Sequence, residues 1–449
     1  MRYSIVFVSF IFMSLAQAIP SASKGLENLT VTGQSGVTLP ALIGAKVFQV
    51  IWKVWGDPIE VKKLSSASNE ARRKAVFERY GFIENPNSPG MPLGFLERNG
   101  LITLNCLACH AGQVQGKTVL GLPNRNIDLR GFILDLKKLL PGRTIMLDKL
   151  ISVVGPERGV LSALGIEAAS LDHRSADMQL ALKANNFGTF TNAVTNVPPW
   201  WNMRYKTHIF ADATIPFSKR FFITNAGDLF APKGIFLKQE AYLDDIFEMV
   251  ASTQPPAFPG PIDKKLADYG RYVFENTCSK CHGQYDDYGA LVKYPNKIIA
   301  IEKIGTDRER AFPGGKDKAY EFFKNSWLGE FVSNQFQETQ GYLAPPLKGI
   351  WATAPYLHNG SVPTLWALMH SEQRPNIWQV SSQASDYDLE KVGLVYKELS
   401  EFPKDEKNTA VISRIYNTQV LGRGSRGHTF PDKLDESEKR EVLEYLKTL

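Results

Sequence analysis

The chain has 449 residues, of which 43% are hydrophobic, and this composition excludes a mainly disordered protein. The 52 Lys and Arg residues against 46 Asp and Glu residues leave a net charge of +6, which is too weak to indicate nucleic-acid binding, and no basic run forms a nucleic-acid patch. The length predicts about two domains of roughly 100–200 residues each.

The first residues match a secretory signal peptide. Arg2 supplies the positive charge, residues 5–15 are apolar apart from two serines, and Ala16-Gln17-Ala18 fits the small-x-small cleavage pattern. The apolar run is shorter than the roughly 20 residues that a membrane-spanning helix needs, and an uncleaved anchor helix is the alternative. We therefore predict a signal peptide over residues 1–18, followed by a periplasmic or secreted protein that does not span the membrane.

Local sequence patterns predict short helices in the first half of the chain. The polar stretch Pro20–Gly36 predicts a loop or a loose N-terminal arm. Good helix formers after Ser68 predict a helix over residues 68–80 with that serine as N-cap. Further helices are predicted over 132–140, ended by a Pro-Gly pair, and over 176–184.

A proline-rich segment separates the two halves of the chain. Residues 254–261 contain four prolines and predict a linker, because proline fits neither a helix interior nor a central strand. The following residues 263–276 predict a helix with an apolar stripe of Leu266, Tyr269, Tyr272 and Val273. A last helix is predicted over 435–449, capped by Asp435 or Ser437, with a stripe of Val442, Leu443 and Leu446.

All four cysteines lie in two C-x-x-C-H units, one in each half of the chain. This spacing lets two thiols add across the vinyl groups of one haem while the adjoining histidine binds its iron. A zinc ribbon would place its cysteine pairs about 15–20 residues apart, and a thioredoxin-like pair would need a βαβ frame. We therefore predict two covalently bound haem c groups, attached at Cys106, Cys109 and His110 and at Cys278, Cys281 and His282.

The sequence indicates the second axial ligand of each iron less strongly than it indicates the adjoining histidine. His428 lies in a glycine-containing loop just before the last helix, where a distal ligand of a cytochrome c domain approaches, so we predict that it binds the second iron. His358 and Met369 are the alternatives. For the first iron, His208, His173 and an open sixth position all remain possible. An open iron binds peroxide or dioxygen, whereas a filled one only passes electrons. The pair Trp200-Trp201 fits either an electron relay or ordinary core packing.

The fold class that follows is mainly α, with two tandem cytochrome c-like haem domains, long loops and little strand. The predicted boundaries are 19–253 for the N-terminal haem domain, 254–261 for the Pro-rich linker and 262–449 for the C-terminal cytochrome c-like haem domain.

The segment Pro345–Leu368 resembles the signature of the di-haem cytochrome c peroxidase superfamily, and most closely its rubber-oxygenase-like branch. Shared motifs include Lys348-Gly349-Ile350-Trp351, Asn105–Gln113, Gly121–Asn124, Pro198–Trp201 and the Gly427-His428 unit. The resemblance implies a catalytic haem at His110, an electron-transfer haem held by His282 and His428, and possible Ca2+ between the domains. The peroxidases usually place methionine where His428 stands. The chain is also shorter than rubber oxygenases, which puts polyisoprene in doubt as a substrate.

Together these features predict a redox enzyme of peroxidase or dioxygenase type, which meets a redox partner protein or a small oxidant. No catalytic side chain is identified beyond the first haem at His110. The alternative is a non-catalytic electron-transfer cytochrome with both haems six-coordinate, and a sensor or assembly role is a third reading.

Overall fold

The computed structural model describes residues 20–30, 37–38, 44–88, 90–98, 101–140, 144–188, 190–226, 233–383 and 385–449. The predicted signal peptide, residues 1–18, lies outside these described residues. Across the described ranges, no helix is both long enough and apolar enough to cross a membrane.

Helices before the proline-rich segment are short, and four of them begin at a side-chain cap: Asp57, Ser68, Asp128 and Ser162. Ser68 accepts a hydrogen bond from the Ala71 N–H, which confirms the predicted start of the helix Asn69–Tyr80. The helix predicted over 132–140 begins earlier, because the Asp128 carboxylate accepts from the Gly131 N–H. The helices are α1 (Pro20–Thr30), α2 (Val47–Val50), α3 (Pro58–Ser65), α4 (Asn69–Tyr80), α5 (Leu107–His110), α6 (Leu129–Leu139), α7 (Thr144–Val153), α8 (Ala163–Leu171), α9 (Lys219–Ala226), α10 (Lys233–Glu240) and α11 (Leu243–Ser252).

Two local predictions in this half are wrong. Pro20–Thr30 is helical rather than a loop, because α1 packs on α11 and buries Leu29, and tertiary packing stabilises a helix that its polar sequence does not favour. Residues 176–184 form turns rather than a helix. The Ser175 hydroxyl accepts from the Gln179 N–H and Met178 takes a left-handed conformation, so local hydrogen bonds replace the helical ones.

After the proline-rich segment, two long helices pack against each other. α12 (Lys264–Thr277) starts at the Asp263 cap, and Asp435 forms a capping box with Glu438 at the start of the last helix. Both starts agree with the predictions. The helices of this half are α12 (Lys264–Thr277), α13 (Ser279–His282), α14 (Ile301–Ile304), α15 (Lys316–Asn325), α16 (Leu365–Met369), α17 (Thr409–Ile412) and α18 (Glu436–Leu446).

The predicted buried face of α12 is wrong by about one position. Tyr269 and Tyr272 are 55% and 71% exposed, whereas Val273, Phe274 and the small residues Ala267 and Gly270 are buried. A Cβ at Gly270 would overlap the Glu441 carbonyl, so the two helix backbones approach each other there. The close crossing selects small residues for the buried face, and the large tyrosines lie on the opposite side.

Strands are short and form sheets of two or three antiparallel members. Among the described residues, one three-stranded sheet has Leu101–Leu104 between Val37–Thr38 and Phe95–Arg98, and another has Ile377–Val380 between Tyr396–Glu398 and Ile415–Asn417. The strands are β1 (Val37–Thr38), β2 (Phe95–Arg98), β3 (Leu101–Leu104), β4 (Ala111–Val114), β5 (Lys117–Leu120), β6 (Val160–Leu161), β7 (Thr195–Asn196), β8 (His208–Ile209), β9 (Ile215–Pro216), β10 (Gln284–Tyr285), β11 (Leu291–Lys293), β12 (Ile298–Ala300), β13 (Gly341–Leu343), β14 (Ile377–Val380), β15 (Tyr387–Asp388), β16 (Gly393–Leu394), β17 (Tyr396–Glu398) and β18 (Ile415–Asn417).

One hydrophobic core contains residues from both sides of the proline-rich segment. Val194 and Trp201 from the first half lie in the same cluster as Trp351, Leu443 and many other residues of the second half. Residues 254–261 have no regular secondary structure, but they are held against this core, since the Trp351 indole N–H donates to the Pro256 carbonyl at 2.9 Å. The two halves of the chain thus pack extensively against each other. The predicted domain boundaries and the tandem haem-domain arrangement stay predictions.

Candidate haem-binding sites

The first C-x-x-C-H unit forms one helical turn that is tied to the N-terminal helix. Cys106 is the N-cap of α5, and its carbonyl accepts from the His110 N–H at 2.9 Å, so the two thiols and the imidazole lie on one turn. Asn105 supports this turn from both sides. Its Oδ1 accepts from the Leu107 N–H at 3.0 Å, and its Nδ2 donates to the Leu29 carbonyl of α1 at 2.6 Å. The sequence predicts haem attachment at this turn, but it did not indicate the support from Asn105.

The His110 ring is enclosed and neutral. Burial lowers the pKa of His110 to about 3, although a hydrogen bond with the Pro198 backbone acts in the opposite direction. Its Nδ1 is buried without a hydrogen-bond partner. The Trp200 indole stacks on the ring, with 5.1 Å between the centroids and 22° between the planes. A neutral imidazole with a free buried nitrogen is the form that binds a metal ion.

The second unit continues directly from α12. Cys278 ends α12 and begins α13, so the attachment turn is part of the helix pair formed by α12 and α18. His282 Nδ1 lies 2.8 Å from the Pro345 carbonyl and donates to it, which leaves Nε2 free to bind a metal ion. Burial also lowers the pKa of His282, against the effect of this hydrogen bond. The ring is therefore oriented and neutral.

His428 faces His282 at a distance that suits one iron between them. The two ring centroids are 6.0 Å apart, with 60° between the planes. A nitrogen–metal bond of roughly 2 Å on each side, with about 1 Å from each nitrogen to its ring centre, spans a similar distance. Burial first, and then the neighbouring His282, lower the pKa of His428 to about 3, and its Nδ1 is buried without a partner. The residues present therefore fit a bis-histidine haem.

The other candidate ligands lie in different surroundings. Both ring nitrogens of His208 are hydrogen-bonded, to the Thr207 hydroxyl and to the Gln335 carbonyl, each at 3.0 Å. His173 lies beside the turn that packs with the core of Leu171 and Met178. Met369 is buried near the end of α16. None of the described contacts places His208, His173 or Met369 opposite the ring of His110 or His282, as His428 is placed opposite His282.

His358 lies where the two halves of the chain meet. Its ring stacks on Tyr342 with 4.1 Å between centroids, and its carbonyl accepts from the Asn196 N–H at 2.8 Å. Burial, and then the charge of Arg310, lower the pKa of His358 to about 3, and Nε2 is buried without a partner. The ring that faces His282 is nevertheless that of His428, so His358 remains a candidate only for another contact with haem.

A hydrogen-bonded connection joins the surroundings of His110 and His282. Trp200, which stacks on His110, is followed by Trp201 and Asn202. The Trp201 indole donates to the Lys348 carbonyl at 2.7 Å, and Asn202 Nδ2 donates to the Pro346 carbonyl at 3.1 Å. Pro346 adjoins the proline whose carbonyl accepts from His282. The sequence singled out the tryptophan pair, but the role of Asn202 was missed because amide partners distant in the chain leave no local signal.

The alternatives to haem have less support from the described part of the chain. That part contains no group of three or more His, Cys, Asp or Glu side chains arranged for a metal ion, as a multi-cysteine zinc site would need, and the possible Ca2+ that the resemblance implies stays a prediction. Burial raises the pKa of Cys106 to about 11 and that of Cys109 to about 12. A redox-active thiol pair needs a readily formed thiolate instead.

Comparisons with known proteins agree with a cytochrome c relation. A family model described as RoxA-like, cytochrome c-like matches residues 341–379, so this segment is related to the RoxA-like cytochrome c proteins. The chain is also similar to two uncharacterised proteins of Sinorhizobium fredii, y4iM at 30% identity over 233 residues and y4iJ at 29% identity over 260 residues. These matches cover 43% and 44% of this chain, but 51% and 41% of the relatives, so the chain spans about half their length.

Proposed function

We propose that the protein is an exported di-haem c-type cytochrome of the di-haem peroxidase superfamily, near its rubber-oxygenase-like branch. One haem would be attached at Cys106 and Cys109 with His110 on its iron. The other would be attached at Cys278 and Cys281 with His282 as proximal ligand. The observation that carries the proposal is the pair of buried, neutral imidazoles of His282 and His428, facing each other 6.0 Å apart beside a C-x-x-C unit. The relation of residues 341–379 to RoxA-like cytochromes supports it.

The residues around the two units suggest different tasks. His282 faces a second histidine, whereas the ring described against His110 is that of Trp200. A bis-histidine haem only exchanges electrons, while a haem with an open position also binds peroxide or dioxygen. The asymmetry favours an electron-transfer haem at His282 and a catalytic haem at His110. A redox partner protein would then supply or accept electrons, and the small oxidant would meet the first haem.

The protein's own groups would orient the ligands and couple the two sites. The Pro345 carbonyl holds the Nδ1 proton of His282 and so fixes which nitrogen is free. Trp200 and the Pro198 backbone confine the His110 ring. The connection through Asn202 and Pro346 is a compact route for electrons between the two sites. Burial excludes water from the imidazoles and keeps them neutral.

The proposal is tested by producing the full chain with its export segment in a host that attaches haem c. We expect a mass increase of two haems, a c-type pyridine haemochrome spectrum and protein recovered from the periplasm or medium. Replacing Cys106 and Cys109 by alanine should remove one haem, and replacing Cys278 and Cys281 should remove the other. Colourless, correctly exported protein with the mass of the bare polypeptide would overturn the proposal.

A purely electron-carrying cytochrome is the second candidate, favoured by the close coupling of the two sites. Carbon monoxide separates the two functions, because it binds reduced haem iron only where a coordination position is open. For the enzyme we expect about one equivalent bound per chain, together with turnover of peroxide or consumption of dioxygen. Two low-spin haems that bind no carbon monoxide and do not react with peroxide would instead identify the carrier.

A further inference from the structure

Arg374 contacts the loop that carries His428, and every N–H group of its guanidinium donates a hydrogen bond to a backbone carbonyl of that loop or of the nearby helix end. Its Nη1 donates to the carbonyls of Ser425 and Gly427, at 2.7 and 2.6 Å, and its Nη2 reaches the His428 carbonyl at 3.3 Å. The remaining bonds go to the end of α16, from Nε to the Ala367 carbonyl at 3.2 Å and from Nη2 to the Leu368 carbonyl at 2.9 Å. Five N–H donors thus meet five backbone carbonyls.

The loop needs such support because its own backbone provides little. Residues 423–429 have no regular secondary structure, and both Gly427 and His428 have positive φ angles, 78° and 48°. The left-handed conformation is unfavourable for a histidine, so it persists only where surrounding contacts fix it. The His428 N–H donates to the Ile304 carbonyl at 2.7 Å, which holds one side of the loop. Arg374 holds the other side.

We propose that Arg374 is the positioning residue that keeps His428 on the second haem iron. This inference rests on the proposed ligation by His282 and His428. The guanidinium is a rigid planar fork, and hydrogen bonds from a charged donor are stronger than neutral ones. By joining the loop to the last carbonyls of α16, Arg374 connects a flexible segment to a helix end whose carbonyls lack helical partners. The second iron is thereby kept closed to small ligands.

Lysine at position 374 is the sharpest perturbation. It keeps the positive charge and the aliphatic chain, but its ammonium is a single point with three donors and cannot bridge loop and helix as the fork does. Loss of these charge-assisted bonds should raise the fraction of His428 released from iron by roughly 10- to 100-fold. The matched control is Arg414→Lys, since Arg414 is also half-buried and donates to a backbone carbonyl, that of Ala410, outside the loop.

The experiment uses the exported holoprotein of the wild type, Arg374→Lys, Arg414→Lys and His428→Ala. We expect the Arg374 variant to keep both haems, gain up to one equivalent of carbon monoxide per chain, and recover the low-spin spectrum when imidazole is added. The Arg414 variant should match the wild type. An Arg374→Lys spectrum identical to wild type would overturn the inference. Failure of that variant to fold or retain haem would also overturn it, because the arginine would then hold the whole region rather than one ligand.

His428→Ala separates this inference from the function on which it rests. If His428→Ala gives a high-spin second haem and Arg374→Lys does not, only the role of Arg374 is wrong. If His428→Ala leaves the spectrum unchanged, the ligand assignment itself fails, and the role of Arg374 fails with it.

Discussion

Gly270→Ala tests whether the close crossing of α12 and α18 determines the stability of the region around the second C-x-x-C-H unit. A Cβ at this position would overlap the Glu441 carbonyl oxygen and lie 2.8 Å from the Val442 nitrogen, where ordinary contacts begin at 3.4 Å. Both contacts are backbone atoms, which cannot rotate away. The helices must therefore separate, although alanine itself favours the helix by about 1 kcal/mol.

The cost of separation follows from the apolar side chains between the helices. Each side chain contributes about 2 kcal/mol through burial, and a gap of 0.5–1 Å forfeits roughly a quarter of its contact energy. For five such side chains this loss is about 2.5 kcal/mol, so the net destabilisation after the helix gain is about 1.5 kcal/mol. The side chains are Val273, Phe274, Val442, Leu443 and Leu446.

The assay is denaturant or thermal unfolding of the holoprotein, followed by the absorption of the haem. If a unit the size of residues 262–449 unfolds cooperatively, the thermal midpoint should fall by about 3–6 °C. The control is Gly234→Ala, because Gly234 is exposed near the start of α10 and has nothing within 4 Å of an added Cβ. That variant should be unchanged or more stable by up to about 1 kcal/mol. If Gly270→Ala proved as stable as Gly234→Ala, the reasoning about the close crossing would be refuted.

Three further predictions concern single side chains. His428→Ala should convert one haem from low spin to high spin in absorption spectra and leave the other unchanged. Asp212→Asn should lower the free energy of unfolding by about 3–5 kcal/mol in urea titrations, because Asp212 is fully buried beside Arg310 and Lys316. Burial alone would raise the pKa of Asp212, but these two cations hold that pKa below its ordinary value. The contribution of the Asp212 carboxylate to the free energy of unfolding should therefore be full above about pH 3.9, and it should be lost as the pH falls through the folded-state pKa. Asp435→Ala should cost about 1 kcal/mol by removing the α18 cap, measured in the same unfolding experiment.

Each of these predictions has a contradicting result. An unaltered spectrum would remove His428 from the ligand set. If Asp212→Asn unfolded in acid at the same pH as the wild type, the Asp212 carboxylate would not contribute to stability in acid. For the helix cap, Ser437→Ala serves as the comparison for Asp435→Ala. Equal effects of the last two variants would mean that Asp435 is not the decisive cap.

Local chemistry made several helix starts predictable from sequence. Ser68, Asp263 and Asp435 cap helices through hydrogen bonds that span only a few residues, whereas haem attachment at the two C-x-x-C-H units stays a prediction. The same local patterns placed His428 just before α18, and the structure brings it to face His282.

Features set by contacts distant in sequence were not predictable in this way. The buried face of α12 depends on how closely α18 approaches Gly270, and apolar periodicity favoured the tyrosines instead. The helix Pro20–Thr30 forms because α11 covers Leu29. Pro345 and Arg374 act through a carbonyl acceptor and a backbone-directed guanidinium, and neither leaves a pattern in neighbouring residues. Such partners become visible only when the chain is folded.

Cys278 lies where α12 ends and α13 begins, and this position bears on the order of steps by which a haem would be attached and enclosed. Because α12 ends where the second C-x-x-C-H turn begins, and α18 packs along α12, a haem bound there as proposed would be enclosed only once α18 has packed against α12. In a chain that is translocated from its N-terminus, both thiols emerge long before that closing helix. Under the proposed export and haem attachment, this order would leave the thiols accessible while the porphyrin is attached, and the last helix would pack against α12 afterwards.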